Sequence, residues 1–385
     1  MTFRRPLHAF LLCILLSHTT PCAAQPAAPK PACAETATAL PEQIHHQAAN
    51  ADQYRAAHQF ATGLGVTVGI IDTGVAPHPR LPPVKDGGDL VDDTSGTMDC
   101  DAHGTIVAGI IAARDTGDGI VGVAPDVALV SIRQTSTKSR KTNTPGGTLA
   151  TLTTAINTAL DKNVQVINVS VVSCLPPGTL PPDTQAFDAA LQRAETQGVI
   201  IVAAAGNLST HCQQGSIVYP AHHGTVIGVT ATEDSYHPTD YSLISPKPTV
   251  SAPGLVHAAL SPNGPGIING TMQNQTVTPF IGTSFAAPVV TGTVALLRQR
   301  HPTATAAQIR EMLFASVDPS NGTVDINRTV RYVAESPPPV HTPPVPTQAK
   351  THTAAVPRAM WVLGVLVLVV ICLIGVRGRR KAAAT

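Results

Sequence analysis

The chain has 385 residues, of which 13% are charged, and a formal net charge of +1. That length is ample for one large core with tethers, and the scarcity and balance of charge exclude the basic face of a nucleic-acid binder. The 34 prolines are densest near the two ends, and the middle, rich in Ala, Val, Ile, Gly and Thr, suits a buried parallel sheet flanked by helices.

In chain order, Arg4 and Arg5 form a positive start and residues 9–16 an apolar run. Pro21-Cys22-Ala23-Ala24 then offers small residues for cleavage. This predicts a signal peptide over 1–24, because the run is short for a membrane anchor. Residues 25–40 are rich in Pro and Ala and predict an extended arm. A domain follows from about Pro41 to Ala334. Inside it, short apolar runs at 66–71 (VTVGII), 127–132 (VALVSI), 164–169 (VQVINV) and 199–204 (VIIVAA) predict strands, with a weaker one at 226–229. Residues 149–161 and 187–197 carry helical spacing. Alternation of this kind predicts a parallel α/β sheet, whose ligand crevice lies beyond the carboxyl ends of its strands. The loop 131–147, with Arg133, Lys138, Arg140 and Lys141, reads as solvated, with contact to an acidic partner as the alternative.

Beyond the domain, residues 336–346 are dense in Pro and predict a stiff spacer. Residues 359–376 carry no charge and are followed by Arg377, Arg379, Arg380 and Lys381. This predicts a single membrane span with its C-terminus cytoplasmic and the bulk of the chain outside, Trp361 sitting at the outer interface. Seven cysteines sort by these compartments: Cys13 and Cys22 fall in the signal segment and Cys372 in the span. Cys33, Cys100, Cys174 and Cys212 remain outside, an even number that predicts two disulfides in one of three pairings.

Four residues carry chemistry. Asp72 ends the first predicted strand in Asp72-Thr73-Gly74. A single DTG without a second excludes the paired carboxylates of an aspartic protease. His103 opens a helix of small residues, His103-Gly104-Thr105, pointing toward the crevice. Asn207 follows a strand in Ala205-Gly206-Asn207 and can offer a side-chain amide to a developing oxyanion. Ser284, in Gly282-Thr283-Ser284-Phe285-Ala286-Ala287-Pro288, starts a helix with its hydroxyl exposed and its amide free, where negative charge is favoured. Pro288 is tolerable there because early helical amides lack partners. Each motif has an ordinary reading, as a turn aspartate, a surface histidine, a turn asparagine or a helix-capping serine. Their joint order overcomes it.

That order, with DTG, HGT, AAAGN and GTSFAAP, resembles the subtilisin-like serine proteases over residues 65–333. The resemblance implies an α/β, subtilisin-like three-layer fold with a mostly parallel central sheet flanked by helices, to which the sequence adds one C-terminal transmembrane helix. It implies a triad of Asp72, His103 and Ser284, an oxyanion hole of Asn207 and the Ser284 amide, and no metal or other cofactor. A substrate strand is expected along Ser170, Val171 and Val172, with Ala204, Ala205 and Gly206 on the other wall. Many subtilisins carry glycines just after that serine. Here Val171 and Val172 stand instead and are expected to narrow the pocket to small P1 residues such as Ala or Val.

A narrower resemblance is to the mycosins, proteases attached to type VII secretion systems of actinobacteria. It rests on the signal, short arm, single span and basic tail, on Tyr219-Pro220-Ala221 ahead of residues 226–229, and on the four outer cysteines. It implies the pairs Cys33–Cys100 and Cys174–Cys212, a protein or peptide substrate that is itself secreted, and the membrane components of the secretion system as partners. A role in stabilising that complex without proteolysis is the alternative function. The resulting division is signal peptide 1–24, arm 25–62 wrapping the catalytic domain 63–334, Pro-rich linker 335–358, span 359–376 and cytoplasmic tail 377–385. About 47 residues between the cleavage point and Asp72 are few for a separately folded inhibitory prodomain, so the site is expected to be competent without its removal.

Overall fold

The computed structural model describes residues 33–139, 147–233, 237–333 and 355–382, with side chains in the last segment over 360–374 only. The signal segment, residues 25–32, part of the basic loop and most of the Pro-rich linker lie outside the described residues. The chain divides into two units, Met1–Val333 and Ala334–Thr385.

In the first unit, seven parallel strands form one sheet in the order Val250–Pro253, Ile227–Thr232, Ile200–Ala204, Val166–Val169, Thr67–Asp72, Ala128–Arg133, Val84–Asp89. The strand Thr67–Asp72 shows why. Val68 and Ile70 enter one core, with the helices His103–Ala112 and Thr283–Arg300. Ile71 points into the other, with Leu149–Asp161 and Gln185–Thr196. Alternate side chains therefore serve opposite faces, and both faces are dry, which is why the strand reads as an unbroken apolar run. The result is three layers. Helix Thr283–Arg300 is apolar nearly all round and is buried from Phe285 to Arg298, as a central helix should be. Helix Leu149–Asp161 starts on Thr148, whose side chain accepts from the Thr151 amide at 3.1 Å, an ordinary cap.

The arm is more regular than its composition suggests. Thr36–Thr38 pairs antiparallel with Ile267–Gln273, itself one half of a hairpin with Thr276–Ile281. Asn274 and Gln275 both adopt positive φ, 48° and 65°, the two left-handed residues that a tight hairpin turn requires. Helices Pro41–Ala48 and Ala51–His58 follow. Arg55 of the second pairs with Asp115 at 2.7 Å. Arg133 proves to be no part of a solvated loop: it ends a sheet strand, is 1% exposed and pairs with Asp89 and Asp92 at 2.9 and 3.0 Å. In the second unit, Ala355–Ala382 is a helix. Among the described residues no helix is long and apolar enough to cross a membrane.

Candidate active site

Because the strands are parallel, their carboxyl ends share one edge, and the four chemical residues converge there. Asp72 is the last residue of its strand and is fully buried. His103 is the first residue of its helix. Its Nδ1 meets Asp72 Oδ1 at 2.6 Å. The Thr73 amide donates to the same oxygen at 2.7 Å, while Asp72 Oδ2 is buried with no hydrogen-bond partner among the described residues. The pair can sit this close because two glycines touch. A Cβ on Gly104 would lie 1.9 Å from the Gly74 carbonyl oxygen, and one on Gly74, at φ +105°, 2.0 Å from that of Met98. Burial works against a charged His103, but the charge and hydrogen bond of Asp72, with Asp99 and Asp101 behind, outweigh it and hold the imidazole pKa above its ordinary value.

Ser284 is the second residue of its helix, after Thr283. Its amide belongs to the first turn, which helix geometry leaves without an intrahelical acceptor. Asn207 Oδ1 accepts from the Thr283 amide and hydroxyl, each at 3.0 Å. That fixes the orientation of the side chain and turns Nδ2 toward Gly282, where a Cβ would be 2.8 Å from it and 3.2 Å from Ser284 Oγ. Phe285 packs on His103 with ring centroids 5.0 Å apart. No hydrogen bond joins Ser284 Oγ to His103 among the described residues, as is common for catalytic pairs that tighten only on substrate.

A chain of side chains that sequence reasoning missed anchors the serine helix to the sheet. Thr291 Oγ1 donates to Asn168 Oδ1, Asn168 Nδ2 to Ser170 Oγ, and Ser170 Oγ to the Ser284 carbonyl, each at 2.8 Å. Ser170 therefore spends its hydroxyl on the helix. Of the expected substrate wall, Val171 lines a cleft of about 580 Å³ beside His103, together with Thr73, Asp101 and arm residues Cys33, Ala34 and Glu35. Val172 is half-buried between the two cores. Ala204, Ala205 and Gly206 are buried, so any substrate contact there falls on backbone. The disulfides are Cys33–Cys100 and Cys174–Cys212. The first ties the arm to the segment just before His103.

A buried carboxylate on an imidazole, beside a serine at a helix start, matches the serine hydrolases that work through Asp, His and Ser. Residues 63–333 match the Subtilase family (Peptidase_S8), and the chain belongs to that family. Mycosin-4 of Mycobacterium tuberculosis is 40% identical over 296 residues, covering 69% of this chain and 65% of that protein; the match thus spans just under two thirds of that relative's length. Among solved structures, MycP3 protease from the type VII (ESX-3) secretion system superposes with a TM-score of 0.71 at 32% identity, covering 80% of this chain and 95% of that one. A chain in the periplasmic assembly from the ESX-5 inner membrane complex gives 0.72 at 30% identity, covering 80% and 90%.

Proposed function

We propose that this chain is an extracytoplasmic serine endopeptidase, anchored by residues 359–376 in the cell membrane and working beside a type VII secretion complex. The observation that carries the reading is the 2.6 Å contact of His103 Nδ1 with buried Asp72, on a fold shared with mycosins. Ser284 Oγ attacks a peptide carbonyl as His103 takes its proton. Asp72 holds the imidazole in the right tautomer and stabilises its charged form. Asn207 Nδ2 and the Ser284 amide receive the oxyanion. As the C–N bond breaks, His103 returns the proton to the leaving amine. Water, deprotonated by His103, then releases the acyl group and frees Ser284. Val171 and Val172 favour small P1 residues in a secreted protein substrate.

A second reading, a structural part in the secretion complex, draws on the likeness to a chain of the ESX-5 inner membrane assembly. One experiment separates the two. Membranes carrying the full chain are treated with a fluorophosphonate probe, which bonds only to activated serines. Labelling is expected in the wild type and absent in Ser284→Ala and His103→Ala. A folded wild type that stays unlabelled would leave the structural role as the better account, and Ser284→Ala that still supports secretion would show that both roles coexist.

A further inference from the structure

Ala102, the residue that caps the histidine helix, sits at φ 69° and offers no side-chain cap. The cap comes from three residues earlier. Asp99 Oδ2 accepts from the Thr105 amide at 2.8 Å and the Thr105 hydroxyl at 2.6 Å. Its other oxygen reaches across to the Asp72 segment, accepting from Thr73 Oγ1 at 2.9 Å and from the Asp101 amide at 3.2 Å. Thr73 Oγ1 in turn accepts from the Gly104 amide at 3.0 Å, so the Thr73 proton must go to Asp99. Asp99, Thr73 and Thr105 are 7%, 6% and 0% exposed. The segment that carries Asp72 and the helix turn that carries His103 are thus joined through one buried carboxylate with donors on both oxygens, beside two direct bonds, Gly104 amide to Thr73 Oγ1 and Ala76 amide to Thr105 Oγ1.

Resting on the peptidase reading, we propose that Asp99 is a positioning residue: through Thr73 on one side and Thr105 on the other, it sets His103 against Asp72. An ordinary helix cap would need only the Thr105 half of this arrangement. The Thr73 half spans two elements, and only an ionised carboxylate can accept all four donors. Burial pushes Asp99 up to about 6, against the pull of its hydrogen bonds and with the neighbouring Asp72 charge adding to the rise. A fold that keeps so costly a carboxylate ionised at neutral pH is holding it for its bonds. The charge also reaches His103. The acidic groups acting on the imidazole are Asp72, Asp99 and Asp101, and Glu35 and Lys138 line the same cleft.

The test is the saturation kinetics of fluorophosphonate labelling on the full chain in membranes, read as a maximal rate and a half-saturating concentration across pH. Asp99→Asn puts an amide N–H against donors. It is expected to lower the maximal rate by one to two orders of magnitude, on the scale of the ~100-fold that a misplacement of 1 Å can cost. Half-saturation should stay within about twofold, since the pocket is untouched. The acid limb of its profile should move to lower pH, because one negative charge near the imidazolium is gone. Thr73→Val keeps the Thr105 cap and the Asp99 charge but severs the bridge, together with the direct bond from the Gly104 amide. It should lose rate without moving the limb, while Thr73→Ser should restore it. Thr73→Val at the wild-type rate would reduce Asp99 to a helix cap and overturn the proposal even if Asp99→Asn does not fold. An unlabelled wild type would take the peptidase reading down as well; a labelled wild type matched by Asp99→Asn would take down this inference alone.

Discussion

At Gly282 a single hydrogen stands where a methyl group would meet Asn207 Nδ2 at 2.8 Å and Ser284 Oγ at 3.2 Å. The proposed oxyanion sits in that space. Gly282→Ala fills that space and also strains a backbone at φ 157°; it is expected to lose at least about 10²–10³ in fluorophosphonate labelling rate, the scale of a lost oxyanion donor. Circular dichroism would check the fold, and wild-type labelling would show that Asn207 and Ser284 do not face a common oxyanion. The protonation of His103 gives a second outcome at this scale. A general base must be neutral, so labelling falls as pH drops through its pKa. Because Asp72, Asp99 and Asp101 together outweigh burial and raise that pKa, the acid limb should have its midpoint above the ordinary histidine value of about 6.5. A midpoint below it would mean that burial wins. The residue scale is also where the sequence was most readable. Asp72, His103, Asn207 and Ser284 stand in runs of small residues because close backbone approach, such as Gly104 on Gly74, leaves no room for anything larger. Asp99 stayed invisible: a carboxylate four positions before a histidine has no local pattern that separates it from a loop aspartate.

Helix Thr283–Arg300 shows the same contrast at the level of elements. Pro288 falls past the first turn, so its missing N–H takes a bond away from the Ser284 carbonyl. Ser170 Oγ supplies that bond at 2.8 Å. The proline is thus tolerated because a strand end reaches in, not because its amide had nothing to bind. Ser170→Ala should leave this half-buried carbonyl without that donor, at a cost of about 1 kcal/mol in unfolding free energy, with slower labelling as the serine turn loosens. Adding Pro288→Ala returns an N–H to the helix and should recover part of that stability in denaturant melts. A double variant no better than Ser170→Ala would reject the compensation. Elements were legible in proportion to their burial. The five central strands, dry on both faces, announced themselves as apolar runs. Val84–Asp89 (VKDGGD) and Val250–Pro253 lie at the two sheet edges, where one side lacks a neighbour and charge, Gly and Pro are admissible. Thr276–Ile281 is exposed along most of its length, with Val277 and Ile281 on the solvent side, so its apolar residues mark no core face. The link from Thr291 to Asn168 spans 123 positions, beyond the reach of any spacing rule.

Over the whole molecule, the unit Met1–Val333 closes on itself. Helix Ile326–Val330, near its end, packs on the arm helix Ala51–His58, with Asn327 Nδ2 donating to the Gln53 carbonyl at 3.1 Å and Arg331 lying over the Phe60 ring at 5.8 Å. Both disulfides and both cores lie within it. Residues 359–376, in the other unit, carry no charge and precede four basic ones. A chain ending at Val333 should therefore melt at the same temperature as the full chain, label at the same rate and move from the membrane to the soluble fraction. Adding Lys residues within 359–376 of the full chain should release it likewise, since a central charge costs about 2.5–3.5 kcal/mol on insertion scales. If the truncated chain still sediments with membranes, attachment runs through the surface of the catalytic unit, and a partner in the membrane, not a lipid span, holds the protease in place.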